Sequence, residues 1–293
     1  MNKQDLERWA TGLLARIPTH SKILYPSYLS AQLARKEEVY ASPALPSAFD
    51  GYKIAYASDI HYGPYLGRDR VLDLVERLIA LDADLLLLGG DYGAHTTDAI
   101  PFFDLLPPMS FPDGILAAVG NHDLAGTSEE IARLFDAMRA KGVRPLVTES
   151  HAIHRGGALL QVCSVDDIRN GAPDYAKAAE HLVPDGFLLF APHSPDVIPP
   201  LRESRAFVPH LTICGHTHGG QVTVFGRSLH SSSRYRDRYL SGWKHEDGMD
   251  ILISNGVGTS MLPVRWGAKA QYHRITLKRG RTASAHTQSG LGV

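Results

Sequence analysis

The chain has 293 residues, 44% of them hydrophobic, enough to bury one large α/β core or two small ones. Its 30 Lys and Arg against 31 Asp and Glu leave a net charge of −1 with no long run of like charge, which argues against a nucleic-acid partner. Two cysteines, Cys163 and Cys214, each inside an apolar run, exclude a disulfide framework and read as buried thiols in a reducing, cytoplasmic setting. No apolar stretch reaches the roughly 18 residues that a spanning helix needs, and no signal-peptide series occurs, so a soluble protein is expected.

Residues 1–48 are predicted to form a helical extension and linker. Leu6, Trp9, Ala10, Leu13, Leu14 and Ile17 make one apolar stripe at helical spacing, flanked by Lys3, Arg8, Arg16 and Lys22. Three dockings suit such a helix: the body of the domain, a second subunit, or peripheral contact with the inner face of a membrane. Tyr25-Pro26 breaks it, a second helix is predicted near Tyr28 to Tyr40, and Pro43 and Pro46 mark the linker.

The pattern then changes. Tyr52 to Ala57 is a short apolar run that stops at Ser58-Asp59, Val71 to Leu81 has helical spacing, and Asp84 to Leu88 stops at Gly89-Gly90-Asp91. Ile100 to Leu106 reads as a short helix, Gly114 to Val119 stops at Gly120-Asn121-His122-Asp123, and Glu129 to Lys141 is helical again. Strands alternating with helices predict parallel βαβ pairing, in which ligands lie beyond the carboxyl ends of the strands.

The second half is richer in strands: Leu159 to Val165, Phe187 to Phe190, Leu211 to Cys214, Gln221 to Val224, Ile251 to Ser254 and Tyr272 to Leu277, with a helix near Asp174 to His181. Two of these runs end in histidines, at Ala191-Pro192-His193 and Gly215-His216-Thr217-His218. Residues 226–249 read as a long polar loop with Arg227, Arg234, Arg236, Arg238 and three aromatic residues, either a rim over the site or a solvated loop. Residues 49–279 form the expected catalytic domain and residues 280–293 a flexible tail.

Five strand ends that finish in Asp, Asn or His point to metal chemistry. In a strand or just past its end, residues i and i+2 face the same side, so Asp59 and His61 could grip one ion, as could His216 and His218. Asp91 follows two glycines, and its two carboxylate oxygens could bridge two cations. Asn121 offers a neutral amide oxygen to the second. His122, adjacent to it, faces elsewhere and is better placed as an acid over the substrate; Asp123 either orients that imidazole or caps the following loop.

In order and spacing, Asp59-x-His61, Gly90-Asp91, Gly120-Asn121-His122-Asp123, His193 and Gly215-His216-x-His218 resemble the calcineurin-like metallophosphoesterases over residues 52–278. The resemblance implies an α/β fold, a four-layer α-β-β-α sandwich of two mixed sheets flanked by helices. It implies Asp59, His61, Asp91 and His218 on one metal, Asp91, Asn121, His193 and His216 on the other, and His122 as general acid. These oxygen and nitrogen donors suit two divalent ions among Mn, Fe, Zn, Co and Ni and exclude a thiolate site. Such a pair clamps the phosphoryl oxygens and brings the pKa of a shared water to about 7, and the resulting hydroxide attacks phosphorus.

Gly90-Asp91 is followed by Tyr92-Gly93-Ala94-His95, without the Arg of the serine/threonine protein phosphatases or the Tyr ligand of the purple acid phosphatases. The segments Ala191 to Asp196, Gly215 to Val222 and Ser254 to Ser260, with Pro263 and Arg265, are similar to the bacterial YaeI/YkuE-type phosphodiesterases. Arg265 is the candidate substrate-phosphate contact, the alternative being a surface Arg that closes the loop after Pro263. The expected activity is hydrolysis of a phosphodiester or of a pyrophosphate-linked, lipid-like substrate. A nuclease or cyclic-nucleotide phosphodiesterase is the alternative, and a non-catalytic metal-binding scaffold a third. Oligomeric state is not legible.

Overall fold

The computed structural model describes residues 33–260 and 262–280. In chain order these form β1 (Ala34–Ser42), β2 (Lys53–Ala57), α1 (Arg68–Ile79), β3 (Leu85–Leu88), α2 (Thr96–Leu105), β4 (Ile115–Ala118), α3 (Ser128–Ala140), β5 (Val143–Leu146), β6 (Glu149–Arg155) and β7 (Ala158–Ser164). There follow α4 (Tyr175–Ala179), β8 (Phe187–Phe190), α5 (Ile198–Ser204), β9 (Leu211–Cys214), β10 (Thr223–Val224), β11 (Arg227–Ser228), β12 (Gly242–Glu246), β13 (Met249–Ile253) and β14 (Gln271–Arg279).

Two six-stranded sheets carry the fold, ordered β1-β14-β2-β3-β4-β5 and β12-β13-β9-β8-β7-β6. In the first, β2 to β5 run parallel while β14 lies antiparallel to β2; in the second, β7, β8, β9 and β13 are parallel and β6 and β12 are antiparallel edges. The central strands read as unbroken apolar runs because both faces are covered. β3 shows how: Leu85 and Leu87 enter the core between the sheets, and Leu86 and Leu88 enter the core under the helices. A fully buried Leu contributes about 1.5–3 kcal/mol, so this four-residue strand pins two layers at once.

The inter-sheet core joins Tyr56, Leu87 and Leu116 of the first sheet to Val162, Leu189, Ile213 and Leu252 of the second. Outside the first sheet, α1 offers Val71, Leu74, Val75 and Leu78, one helical face, beside Phe102 and Phe103 of α2 and Leu134 and Met138 of α3. A capping box between Thr127 and Glu130 sets the start of α3. Outside the second sheet, Ala178 of α4, Leu201 of α5 and Tyr239 complete the fourth layer. The α-β-β-α sandwich is therefore observed.

Three expectations change. The helix predicted near Tyr28 to Tyr40 is, from Ala34 onward, the strand β1, paired parallel with β14 over nine residues. Its run Arg-Lys-Glu-Glu has helix-forming composition, but the free edge of β14 captures the backbone, and the charged side chains suit an edge strand. Residues 34–42 thus belong to the first sheet, which does not wait until residue 49. Second, residues 226–249 are not one loop: they include β11, a 3-10 turn over Arg236–Tyr239, and β12. Third, the strand predicted at Gln221 to Val224 shrinks to a two-residue hairpin arm. The Leu6 to Ile17 stripe and residues 281–293 lie outside the described residues.

Candidate metal centre

The carboxyl ends of β2, β3 and β4 meet those of β8 and β9, and the residues beyond them converge. Asp59, His61, Asp91, His193, His216 and His218 are all nearly inaccessible to solvent, as is Asn121. His61 Nε2 lies 3.1 Å from His218 Nε2, and His218 Nε2 lies 3.6 Å from Asp59 Oδ1. His216 Nδ1 lies 3.2 Å from His193 Nε2. Between these groups sits Asp91 Oδ2, 3.6 Å from His61 Nε2 and 3.2 Å from His193 Nε2.

The two oxygens of Asp91 meet different partners. Asp91 Oδ1 accepts the backbone N–H of His122 at 2.9 Å, so Oδ2 alone faces both histidines. A carboxylate oxygen that accepts one N–H keeps a second lone pair, so this geometry is compatible with the expected bridge through both oxygens.

The backbone needed for this convergence is strained. Asp59, His61, Asp91, His216 and His218 all have φ between 50° and 70°, the left-handed region that side chains other than Gly rarely adopt. Each such residue costs on the order of 1–3 kcal/mol and persists where the surroundings over-determine it. Two glycines make room: a Cβ on Gly120 would stand 2.2 Å from Asp91 Oδ1, and one on Gly215 would stand 2.3 Å from Asp59 Oδ2.

Hydrogen bonds fix what burial leaves. His193 Nδ1 lies 2.7 Å from the Gly89 carbonyl, which sets that nitrogen as a donor and turns Nε2 toward Asp91; the Asp91 carboxylate outweighs burial and raises His193 well above its ordinary value. Asp59 accepts the Ser58 hydroxyl and the His216 N–H. Burial drives His61 and His216 down to about 3 and His218 well below its ordinary value, with neighbouring positive charges adding to the effect. Burial also lifts Asp59 to about 6, although His193 opposes it. For Asp91, burial is outweighed by His193, His122 and His61, which hold the carboxyl well below the usual range.

These donors fit a cation pair. Three imidazoles are kept neutral with lone pairs available, and nitrogens stand 3.1–3.2 Å apart with carboxylates beside them. Asn121 Oδ1 is buried without any hydrogen-bond partner, an acceptor that ought to be satisfied. Asp59, His61 and His218 form one cluster with metal-ligating reach, and Asp91, His193 and His216 form another; His122 joins His61 and Asp91 in a third.

His122 and Asp123 part company. His122 Nδ1 lies 2.7 Å from the Ala94 carbonyl, and its ring stands edge-on to His61 at 4.8 Å. Asp123 does not orient it. The Asp123 carboxylate accepts the N–H groups of Asp91, Tyr92 and Gly120 at 2.8–3.0 Å, so it positions the loop that carries Asp91. Burial beside Asp91 lifts its carboxyl to about 7.

Arg265 is corrected as well. It is 5% exposed and gives its N–H groups to the carbonyls of Gly258, His218, Ala268 and Asn255, which leaves no donor for a substrate phosphate. Because the guanidinium reaches both the His218 turn and the 255–258 turn, it clamps one to the other.

A sixth strand end escaped the sequence reading. β7 runs into Asp166-Asp167, the buried Asp167 acts electrostatically on His193, and Asn170 Nδ2 donates to the Asn121 carbonyl at 2.6 Å. Arg169, exposed at this rim, lies near enough to His216 to influence it and bonds the Ser232 carbonyl. The same strand-end rule that selected Asp59 and Asp91 applies to Asp166-Asp167.

Comparison with known proteins agrees with this geometry. The family model described as calcineurin-like phosphoesterase matches residues 52–220. The metallophosphoesterase YkuE of Bacillus subtilis is 27% identical over 262 residues, 87% of this chain and 89% of that protein. The phosphodiesterase YaeI of Escherichia coli is 26% identical, covering 71% of this chain and 76% of its own. A transmembrane protein with a metallophosphoesterase domain from Bos taurus is 24% identical over 80% of this chain but 54% of its own length. Among solved structures, the sulfate thiohydrolase SoxB of Thermus thermophilus overlaps 80% of this chain and 57% of its own at 12% identity, with a TM-score of 0.45.

Proposed function

We propose, from the premise that the chain belongs to the calcineurin-like phosphoesterase family, that it hydrolyses a phosphodiester or a pyrophosphate-linked, lipid-like substrate with two divalent cations. The observation that carries this reading is the convergence of imidazole nitrogens on Asp91 Oδ2, with Asn121 Oδ1 orphaned on the loop whose next N–H, that of His122, bonds Asp91. Asp59, His61, Asp91 and His218 would hold one cation, and Asp91, Asn121, His193 and His216 the other. Mn, Fe, Zn, Co and Ni all suit these donors. When bound, such a pair polarises the phosphoryl group and supplies a nucleophile from water at neutral pH.

The protein's own groups do the rest. Burial keeps the imidazoles of His61, His216 and His218 unprotonated, while Asp91 outweighs burial at His193 and raises it well above its ordinary value, and the Gly89 carbonyl accepts from its Nδ1. His122 is assigned the general acid: with Nδ1 committed to the Ala94 carbonyl, Nε2 is the nitrogen left to hand a proton to the departing oxygen. That transfer is typically worth about 10²–10⁴ in rate. The near-neutral charge balance gives no support to a nucleic-acid substrate. Cytoplasmic residence belongs to the same proposal and is supported by the two buried, unpaired cysteines.

The test is turnover of bis-p-nitrophenyl phosphate across Mn²⁺, Co²⁺, Ni²⁺ and Zn²⁺, with and without chelator, for the parent and for Asp91→Asn. Chelator-sensitive turnover lost in the variant is expected. Metal bound without turnover would identify a scaffold instead. A panel of single-stranded DNA, cyclic nucleotides, glycerophosphodiesters and nucleotide-linked acyl sugars then resolves the substrate class.

A further inference from the structure

We propose that the β10–β11 hairpin and the adjoining 262–267 segment form a surface that inserts into an anionic lipid bilayer. This goes beyond the hydrolytic reading and does not depend on it. Among the described residues nine large hydrophobic side chains are exposed, and five of them are Val224, Phe225, Leu229, Leu262 and Trp266. Single exposed apolar residues are ordinary, whereas a cluster on one feature marks a contact surface.

The five share one framework. Leu229 N–H donates to the Val222 carbonyl, Thr223 N–H to the Trp266 carbonyl at 2.7 Å, and Trp266 N–H to the Gln221 carbonyl at 2.8 Å. Gln221 Nε2 donates to the Leu262 carbonyl at 3.0 Å. The hairpin and the second segment therefore present their apolar groups from one fixed support.

The tip is costly to the fold. Phe225 and Gly226 are the two turn residues, with φ of 49° and 76°, the pattern of a type I′ turn. Asn or Gly suits the first of these positions; a bulky aromatic residue is strained there. Phe225 is also fully exposed, at 102%, so its ring gains nothing from the protein that holds it. A strained and unburied ring at a projecting tip is explained by something outside the chain.

Charge selects the occupant. Residues 221–243 and 262–270 bring Arg227, Arg234, Arg236 and Lys269 to this surface against one acidic residue, Asp237, which is bonded to Ser228; Arg265 is buried and Arg238 is paired with Glu246. Arg227, Arg234, Arg236 and Lys269 are exposed. Aromatic and leucine side chains among cations match the boundary of a bilayer with anionic headgroups. A projecting tip enters a fluid interface readily, while against a second folded protein it would need a matching pocket.

The experiment is co-sedimentation of the full chain with vesicles of phosphatidylcholine alone and of phosphatidylcholine with phosphatidylglycerol. Partition should favour the anionic vesicles and fall about ten-fold in Phe225→Asn/Leu229→Ser. Asn tolerates the left-handed turn, so circular dichroism and bis-p-nitrophenyl phosphate turnover should be retained. Equal partition of parent and variant would overturn the proposal, as would no partition by the parent, or a concentration-dependent dimer that the double variant abolishes. Should the variant fold poorly, brominated lipids decide in Trp9→Phe/Trp243→Phe: quenching of Trp266 supports insertion, and its absence refutes it.

Discussion

The Arg265 guanidinium lies beside the His218 imidazole, Nη2 3.2 Å from Nδ1, and that nitrogen shares its protons among His218 Nδ1 and the carbonyls of Asn255 and Gly258. Nη1 also donates to the His218 carbonyl, so the guanidinium holds His218 by ring and main chain, and its positive charge is met chiefly by carbonyl oxygens, with Asp59 adding a favourable field. Burial pulls the guanidinium down to about 10, still charged at neutral pH.

Removing that side chain should cost both fold and metal. Arg265→Ala leaves buried carbonyls of Gly258, Ala268 and Asn255 without donors and is expected to destabilise by about 3–5 kcal/mol. Metal retention should fall about 10–100-fold. Arg265→Lys should recover little, because a single ammonium cannot reach three turns at once. Thermal melting with metal analysis checks this; an unaltered melting point with a raised KM would restore the phosphate-contact role.

His122→Gln separates proton transfer from metal binding. With an alkyl leaving group kcat should fall about 10²–10⁴-fold. With p-nitrophenolate, which leaves without protonation, the loss should be small. Metal content should match the parent, and a variant that loses metal instead would make His122 a ligand.

Asp123→Asn tests the loop-positioning role. An amide presents one acceptor oxygen where three N–H groups converge, and loss of charged hydrogen bonds should cost about 3 kcal/mol. Turnover should drop together with metal content, because Asp91 rides on that loop. If stability held and only the acid limb of the pH profile moved, Asp123 would be acting on His122 after all.

His210 should make stability fall on acidification. Its Nδ1 accepts the Leu188 N–H at 2.9 Å, and burial lowers its pKa from 6.5. The unfolded chain takes up a proton below pH 6.5 that the folded chain resists, so stability is complete above that value and is lost as pH falls toward the folded pKa. Melting temperature should decline below pH 6.5, and His210→Asn, whose amide oxygen can accept the same bond, should flatten the decline. An identical slope in the variant would assign the effect to another group.

Much of the site was legible because it obeys a local rule. Asp59, Asp91, Asn121, His193 and His216 each stand two or three residues beyond an apolar run, and parallel sheets put such residues at one edge. What failed was direction. Adjacency suggested that Asp123 serves His122, but its three donors come from the turns at Gly120 and Asp91. Arg265 looked exposed after Pro263, yet carbonyls from three separate turns pull it inward. β1 was misread because its own sequence favours a helix, and its strand conformation depends on β14, more than two hundred residues later.

The position of β14 also sets an order of assembly. It lies between β1 and β2 in the first sheet, though it is the last described strand. Until residues 271–279 have emerged from the ribosome, β2 has a bare flank and β1 has no neighbour to pair with. The Asp59 turn at the tip of β2 is held by the segment just before that strand, since the N–H groups of Val257 and Gly258 close onto Ser58 and Asp59. A nascent chain therefore carries its donor residues long before it can gather them, and a cation met during synthesis finds no finished pocket to enter.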